Sequence, residues 1–70
     1  MAIEFAVQRL ELGDVVLIDL PAQGGEVEAT VAREIDRTER TVRVTLRVQG
    51  HKDFVKEWPL GEMITVVRGP

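Results

Sequence analysis

Four residue types are missing from this chain: cysteine, serine, asparagine and tyrosine. Without cysteine there is neither a disulfide nor thiol chemistry, which fits a reducing compartment. Any covalent catalysis would fall to Thr30, Thr38, Thr41, Thr45, Thr65, Lys52 or Lys56, and none of these sits in a recognisable motif. Histidine occurs once, as His51, in a stretch that reads as a turn. Asp53 follows close enough to orient it, yet a general base also needs a pocket, so no catalytic residue and no enzyme is expected. His51, Asp53 and Glu57 are the only grouping with metal-ligand chemistry, and their spacing matches no metal-binding loop, so no metal or other cofactor is expected. Gly24-Gly25 would cradle a phosphate only ahead of a helix, where Glu26 and Glu28 would repel the anion. No apolar run approaches the ~18–20 residues of a membrane span. Met1–Phe5 has no basic start or apolar stretch of a signal peptide, so the expectation is a cytoplasmic protein that contacts no membrane.

The charge that is present is mixed. Twelve acidic and nine basic residues give a net charge of −3, which is a statement about solubility and lacks the basic excess of a dedicated nucleic-acid binder. Arginine outnumbers lysine seven to two. That bias reads as a high-GC bacterial genome rather than heat adaptation, since hyperthermophile chains enrich lysine along with glutamate. Seventy residues make one small domain, with residues 1–9 as an N-terminal arm or strand and 10–68 as its body. A chain this short buries only ~60% of the surface its unfolded form exposes, and such domains often lean on disulfides, metals or oligomerisation.

The organising stretch is Glu26–Val48. Thr41 to Val48 alternates polar and apolar residues without a break, the pattern of a half-buried strand. The preceding segment, Glu26–Ile35, is ambiguous. Val27, Ala29 and Val31 fit period two, whereas Val27, Val31 and Ile35 fit a helical stripe. β-branched content, and the need of the next strand for a neighbour, favour the strand; a helix at 26–39 is the alternative. Asp36-Arg37-Thr38-Glu39 then forms the turn. The expected register sets Ile35 opposite Val42, Val31 opposite Leu46 and Ala29 opposite Val48, with Arg43 facing Glu34 and Arg47 facing Thr30, Glu28 lying diagonal. Arg33 falls on the inner face opposite Val44, a misfit that a β-bulge near Ala32 or a snorkelling side chain would resolve.

On either side the signals are shorter. Ile3, Phe5 and Val7 alternate as a terminal strand, and Gly13-Asp14 is a turn ahead of Val15–Leu20, an apolar run that reads as a central strand covered on each side. Pro21–Gly25 forms a loop. Gln49–Lys52 forms a turn before a strand at Asp53–Trp58, with Phe54, Lys56 and Trp58 on one side. Pro59-Leu60-Gly61-Glu62 suits a single 3-10 turn before the last strand, Met63–Val67.

Leu12-Gly13-Asp14-Val15-Val16 opening a strand, then a loop, a long hairpin, the Gly50-His51 turn, a short strand, Pro59-Leu60-Gly61-Glu62 and Ile64-Thr65-Val66-Val67: this order, over residues 12 to 67, resembles the SH3-like small β-barrels. That group includes Tudor and KOW domains, and the chain looks like small actinobacterial members of unknown function. The resemblance implies an all-β, five-stranded barrel, with a possible extra N-terminal strand; the OB-fold and a small α+β fold are the alternatives. It implies no ligand. Methyl-lysine cages need several aromatics, and only Phe5, Phe54 and Trp58 exist here. Proline-rich peptides need a strip of tyrosine and tryptophan, and KOW-type domains are usually basic.

What remains is a binding module engaging a protein partner or itself. Trp58, Phe54, His51, Lys52, Lys56, Arg43 and Arg47 are its candidate contacts, alongside an exposed edge strand at 3–7. The competing class is nucleic-acid binding, with Arg40, Arg43, Arg47, Lys52 and Lys56 as a basic face beside Trp58. Against it, acids placed near Arg43 and Arg47 would turn that stripe into a solvated salt-bridge ladder.

Overall fold

A computed structural model describes residues 3–69. Seven strands, β1 (Ile3–Ala6), β2 (Val15–Leu20), β3 (Gly25–Val31), β4 (Asp36–Arg37), β5 (Thr41–Arg47), β6 (Phe54–Pro59) and β7 (Met63–Arg68), form one antiparallel sheet curled into a half-barrel. Five strands, with a possible sixth at the N-terminus, were expected. The excess arises because the pairing expected through Ile35 ends at Val31 and resumes as β4 at Asp36–Arg37, in the stretch expected as the turn. The strands run in the order β1-β7-β2-β3-β5, with β4 continuing along the β3 side of β5 and β6 on its other side. No α-helix occurs among the described residues, so the α+β alternative does not stand.

The alternation of β5 does what period two requires. Val42, Val44 and Leu46 are fully buried, while Arg43 and Arg47 are exposed. Val31 lies opposite Leu46 and Thr30 opposite Arg47, as expected. Beyond Ala32, whose N–H donates to Thr45 O at 2.9 Å, the pairing slips by two residues. Asp36 faces Arg43 and Arg37 faces Val42, where Glu34 and Ile35 were expected. The bulge lifts Arg33 into solvent and tucks Ile35 against the core margin. It also moves the turn to Thr38–Thr41, where the Thr38 hydroxyl accepts from the N–H groups of Arg40 (3.2 Å) and Thr41 (2.9 Å). That local side-chain bonding stabilises a turn beginning at Thr38 rather than Asp36.

β2 is central, between β3 and β7, with Val15 buried and Leu17 half-buried in addition to its core-facing residues. Val16 and Ile18 face the core, whereas Asp19 lies exposed opposite Glu26. The turn before it is tied at three points. Glu11 N–H donates to the buried Asp14 carboxylate (2.9 Å), Gly13 N–H donates to Val31 O of β3 (2.9 Å), and Val31 N–H donates back to Asp14 O (2.8 Å). The expected 3-10 turn at 59–62 is instead a β-turn, closed by Glu62 N–H to Pro59 O at 3.2 Å, with Gly61 at φ 88°. The 3-10 turns lie at Val7–Arg9 and Pro21–Gln23. The first matters more, because it drives Val7 and Leu10 into the core, both with no exposure.

Candidate functional site

The seven candidate residues all lie on the β5–β6 hairpin or its turn, but the pleat divides them between two faces. Arg43 and Arg47 point outward. Arg43 pairs with Glu57 of β6 (Nε to Oε2, 2.9 Å), which also accepts from Thr41, and Arg47 forms two bonds to Asp53 (3.1 and 3.0 Å). Their partners thus come from β6 and the residue just before it, not from Glu34 or Glu28 on the β3 side; Glu28 bonds Arg68 instead (3.2 Å). The hydrogen bond from Arg43 holds the Glu57 carboxyl below its ordinary range, as that from Arg47 does for Asp53, and both arginines are pushed up in return. Phe54, Lys56 and Trp58 point inward, opposite Leu46, Val44 and Val42. Trp58 belongs to the core at 8% exposure, and the Lys56 ammonium lies 5.5 Å from its ring centroid. His51 and Lys52 stand exposed in the connecting turn, where His51 N–H donates to Val48 O. The basic residues therefore do not form one face around an open aromatic.

The half-barrel has two terminal strands, β1 and β6, and their outer edges differ. On β6, Leu60 N–H donates to Arg40 O, so by antiparallel alternation residues 54, 56 and 58 bond β5 while 55, 57 and 59 direct their backbone outward. Position 59 is proline, which takes a donor away from the open edge without disturbing the ladder. Lys56 adds an inward-pointing charge. Both are devices that discourage edge-to-edge pairing.

β1 has neither lysine nor proline. Val7 N–H donates to Glu62 O at 2.8 Å, so Phe5 and Ile3 bond Ile64 and Val66 of β7, while the backbones of Glu4 and Ala6 face away from the sheet. Among the described residues nothing bonds that outward side, apart from the Ala6 carbonyl, which as the cap of the Val7–Arg9 turn accepts its first internal bond. Ile3 shares the inner side with the buried Val66, yet it is 52% exposed. Met63, opposite Ala6 on the other side, is 54% exposed. Phe5 packs against the core margin with the Arg9 guanidinium 5.5 Å from its ring centroid.

The period-two signal at Ile3 and Phe5 pointed to this edge. Met63 was not singled out, because its exposure depends on pairing across some 60 residues. A shallow depression of ≈ 430 Å³ beside the bulge also went unsignalled; it is lined by Leu10, Leu12 and Ile35 with Glu11, Glu34 and Arg37. There Arg37 is committed to the carbonyls of Gln8 (3.3 Å) and Leu10 (2.8 Å). Among the described residues no group of three or more His, Asp or Glu is placed to hold a metal ion, and no helix is long and apolar enough to cross a membrane. Comparison with protein-family models, curated proteins and solved structures finds no match.

Proposed function

We propose that this chain is a small non-catalytic binding module of the SH3-like type, which engages a protein partner or a second copy of itself by adding a strand to the outer edge of β1. The fold-level part draws support from strand order. With β3 and β4 counted as one strand interrupted by a bulge, β2, β3/β4, β5, β6 and β7 give five, with β7 returning to pair β2 and β1 added outside it. The observation that carries the functional part is the contrast between the edges: β6 is guarded by Lys56 and Pro59, while β1 presents open backbone groups beside half-exposed Ile3 and Met63. Main-chain bonding along such an edge supplies affinity, and alternate side chains supply selectivity.

The test is capture from cell extract on immobilised chain, with and without nuclease, against an Ala6→Pro variant. Ala6 has φ −64° and its N–H is unused within the domain, so proline fits there and removes only the outward donor. Nuclease-resistant protein retained by the native chain and lost on the variant is the expected result. Retention that nuclease abolishes, or that Ala6→Pro leaves unchanged, would overturn the reading.

A further inference from the structure

Resting on the β1 reading, we infer that the occupant of this edge is β1 of a second copy, paired antiparallel about a twofold axis that passes beside Phe5. The register follows from parity and charge. A twofold axis normal to the sheet keeps inner residues opposite inner residues, so the axis passes beside a residue rather than between two. Centred on Glu4, the pairing would set two carboxylates directly opposite each other, which is unfavourable. Centred on Ala6, it would bring both Phe5 and Glu4 against residues 7 and 8, which have already left the strand for the 3-10 turn, so no pair beyond Ala6 itself would lie in the strand, whereas the Phe5-centred pairing keeps residues 4 to 6.

Centred on Phe5, the chain complements itself. Ala6 N–H of each copy meets the Glu4 carbonyl of the other, and the Glu4 N–H meets the Ala6 carbonyl, whose second lone pair is open. Glu4 then lies opposite Ala6 rather than another charge. The two Phe5 rings meet at a non-hydrogen-bonded position, where opposed side chains approach most closely and aromatic pairs are favourable. The same symmetry applied to β6 centred on Lys56 would oppose two ammonium groups, and centred on Glu57 two carboxylates. Centred on Val55 it would set Asp53 against Glu57, both held at depressed pKa on one face. Pairing through β1 also adds buried surface to a domain too small to bury much surface alone.

Sedimentation of the purified chain over a wide concentration range tests this directly. The native chain should equilibrate reversibly between monomer and dimer. Ala6→Pro should weaken that dimer at least ten-fold, while leaving the unfolding midpoint of dilute protein no lower. Because the chain has no cysteine, Phe5→Cys provides a second, independent measurement. Opposed Cα atoms ~4.5 Å apart fall within disulfide range, so mild oxidation should link the variant into a covalent dimer. An exposed control, Asp19→Cys, should form no covalent dimer under the same oxidation. A native chain that remains monomeric at the highest concentration, an Ala6→Pro dimer as tight as the native one, or a Phe5→Cys variant that dimerises without cross-linking would each overturn the proposal. A monomeric native chain that still captures a foreign protein through β1 would overturn self-pairing alone and leave the binding-module reading standing.

Discussion

Asp53 and Glu57 illustrate how single side chains on this surface set a measurable property without setting stability. Both are exposed, and each is held in its charged form first by the hydrogen bond from its arginine. The folded pKa lies below the unfolded one, so the contribution of each pair is complete above the ordinary carboxylate values of 3.8 and 4.5 and disappears as pH falls through the depressed folded value. Arg47→Gln should therefore move the Asp53 titration, followed by carboxyl carbon NMR, up toward the ordinary value while Glu57 stays where it is. A titration of Asp53 unmoved by that substitution would show that the bond does not persist in solution. Trp58 is the opposite case. It carries the largest side chain in the core, and truncating a buried tryptophan costs ~3–5 kcal/mol. A domain of this length holds roughly 4–10 kcal/mol in total, at ~0.05–0.15 kcal/mol per residue. Trp58→Ala should accordingly lower the urea midpoint by about 30% or more, read by circular dichroism because the variant has neither tryptophan nor tyrosine.

At the scale of elements, the two terminal strands make separable predictions. Lys56 stands on the inner side of β6, a position its neighbours Phe54 and Trp58 fill with aromatic surface. Replacing it by valine leaves an apolar edge with only Pro59 as a guard, and Lys56→Val should aggregate faster than the native chain in a quiescent turbidity assay. Equal rates would mean that proline alone protects the edge. How far such elements can be read from sequence depends on whether their cause is local. β5 was legible because strict alternation reports a half-buried strand directly. The bulge was legible through one misfit, Arg33, which no inner face would accept. Its size was not, because the Thr38 hydroxyl competes for the turn and shifts the pairing by two residues. Val7 misled: it continues the alternation of Ile3 and Phe5, yet it leaves the strand to enter the core beside Leu10, held by Arg37 from 27 residues away. The strand at Ile3–Ala6 was readable from period two, whereas its place at the edge of the sheet and the role of Pro59 as an edge guard emerge only once the ladder is fixed by its neighbours.

Over the whole molecule, the distribution of charge bears on the choice between the two proposed classes of macromolecular partner. Affinity for nucleic acid comes chiefly from cations that displace condensed counterions, and each must be available to a phosphate. Here Arg43, Arg47 and Arg68 each already hold a carboxylate, Arg37 is bonded to two main-chain carbonyls, Lys56 and Arg9 lie over aromatic rings, and the chain carries a net charge of −3. The one large stacking surface, Trp58, is buried in the core and is not offered to a base. Titrating a labelled single strand and a labelled duplex at low salt should therefore give no saturable binding at micromolar protein. Removing the acids should begin to create it: Glu57→Gln with Asp53→Asn frees both outward arginines and changes the net charge from −3 to −1. The doubly substituted chain should acquire weak binding that falls steeply as salt is raised. Tight, salt-sensitive binding by the native chain, abolished by Arg43→Glu, would instead mean that these ion pairs open to meet phosphate, and the outer face of the β5–β6 hairpin would displace the β1 edge as the proposed binding site.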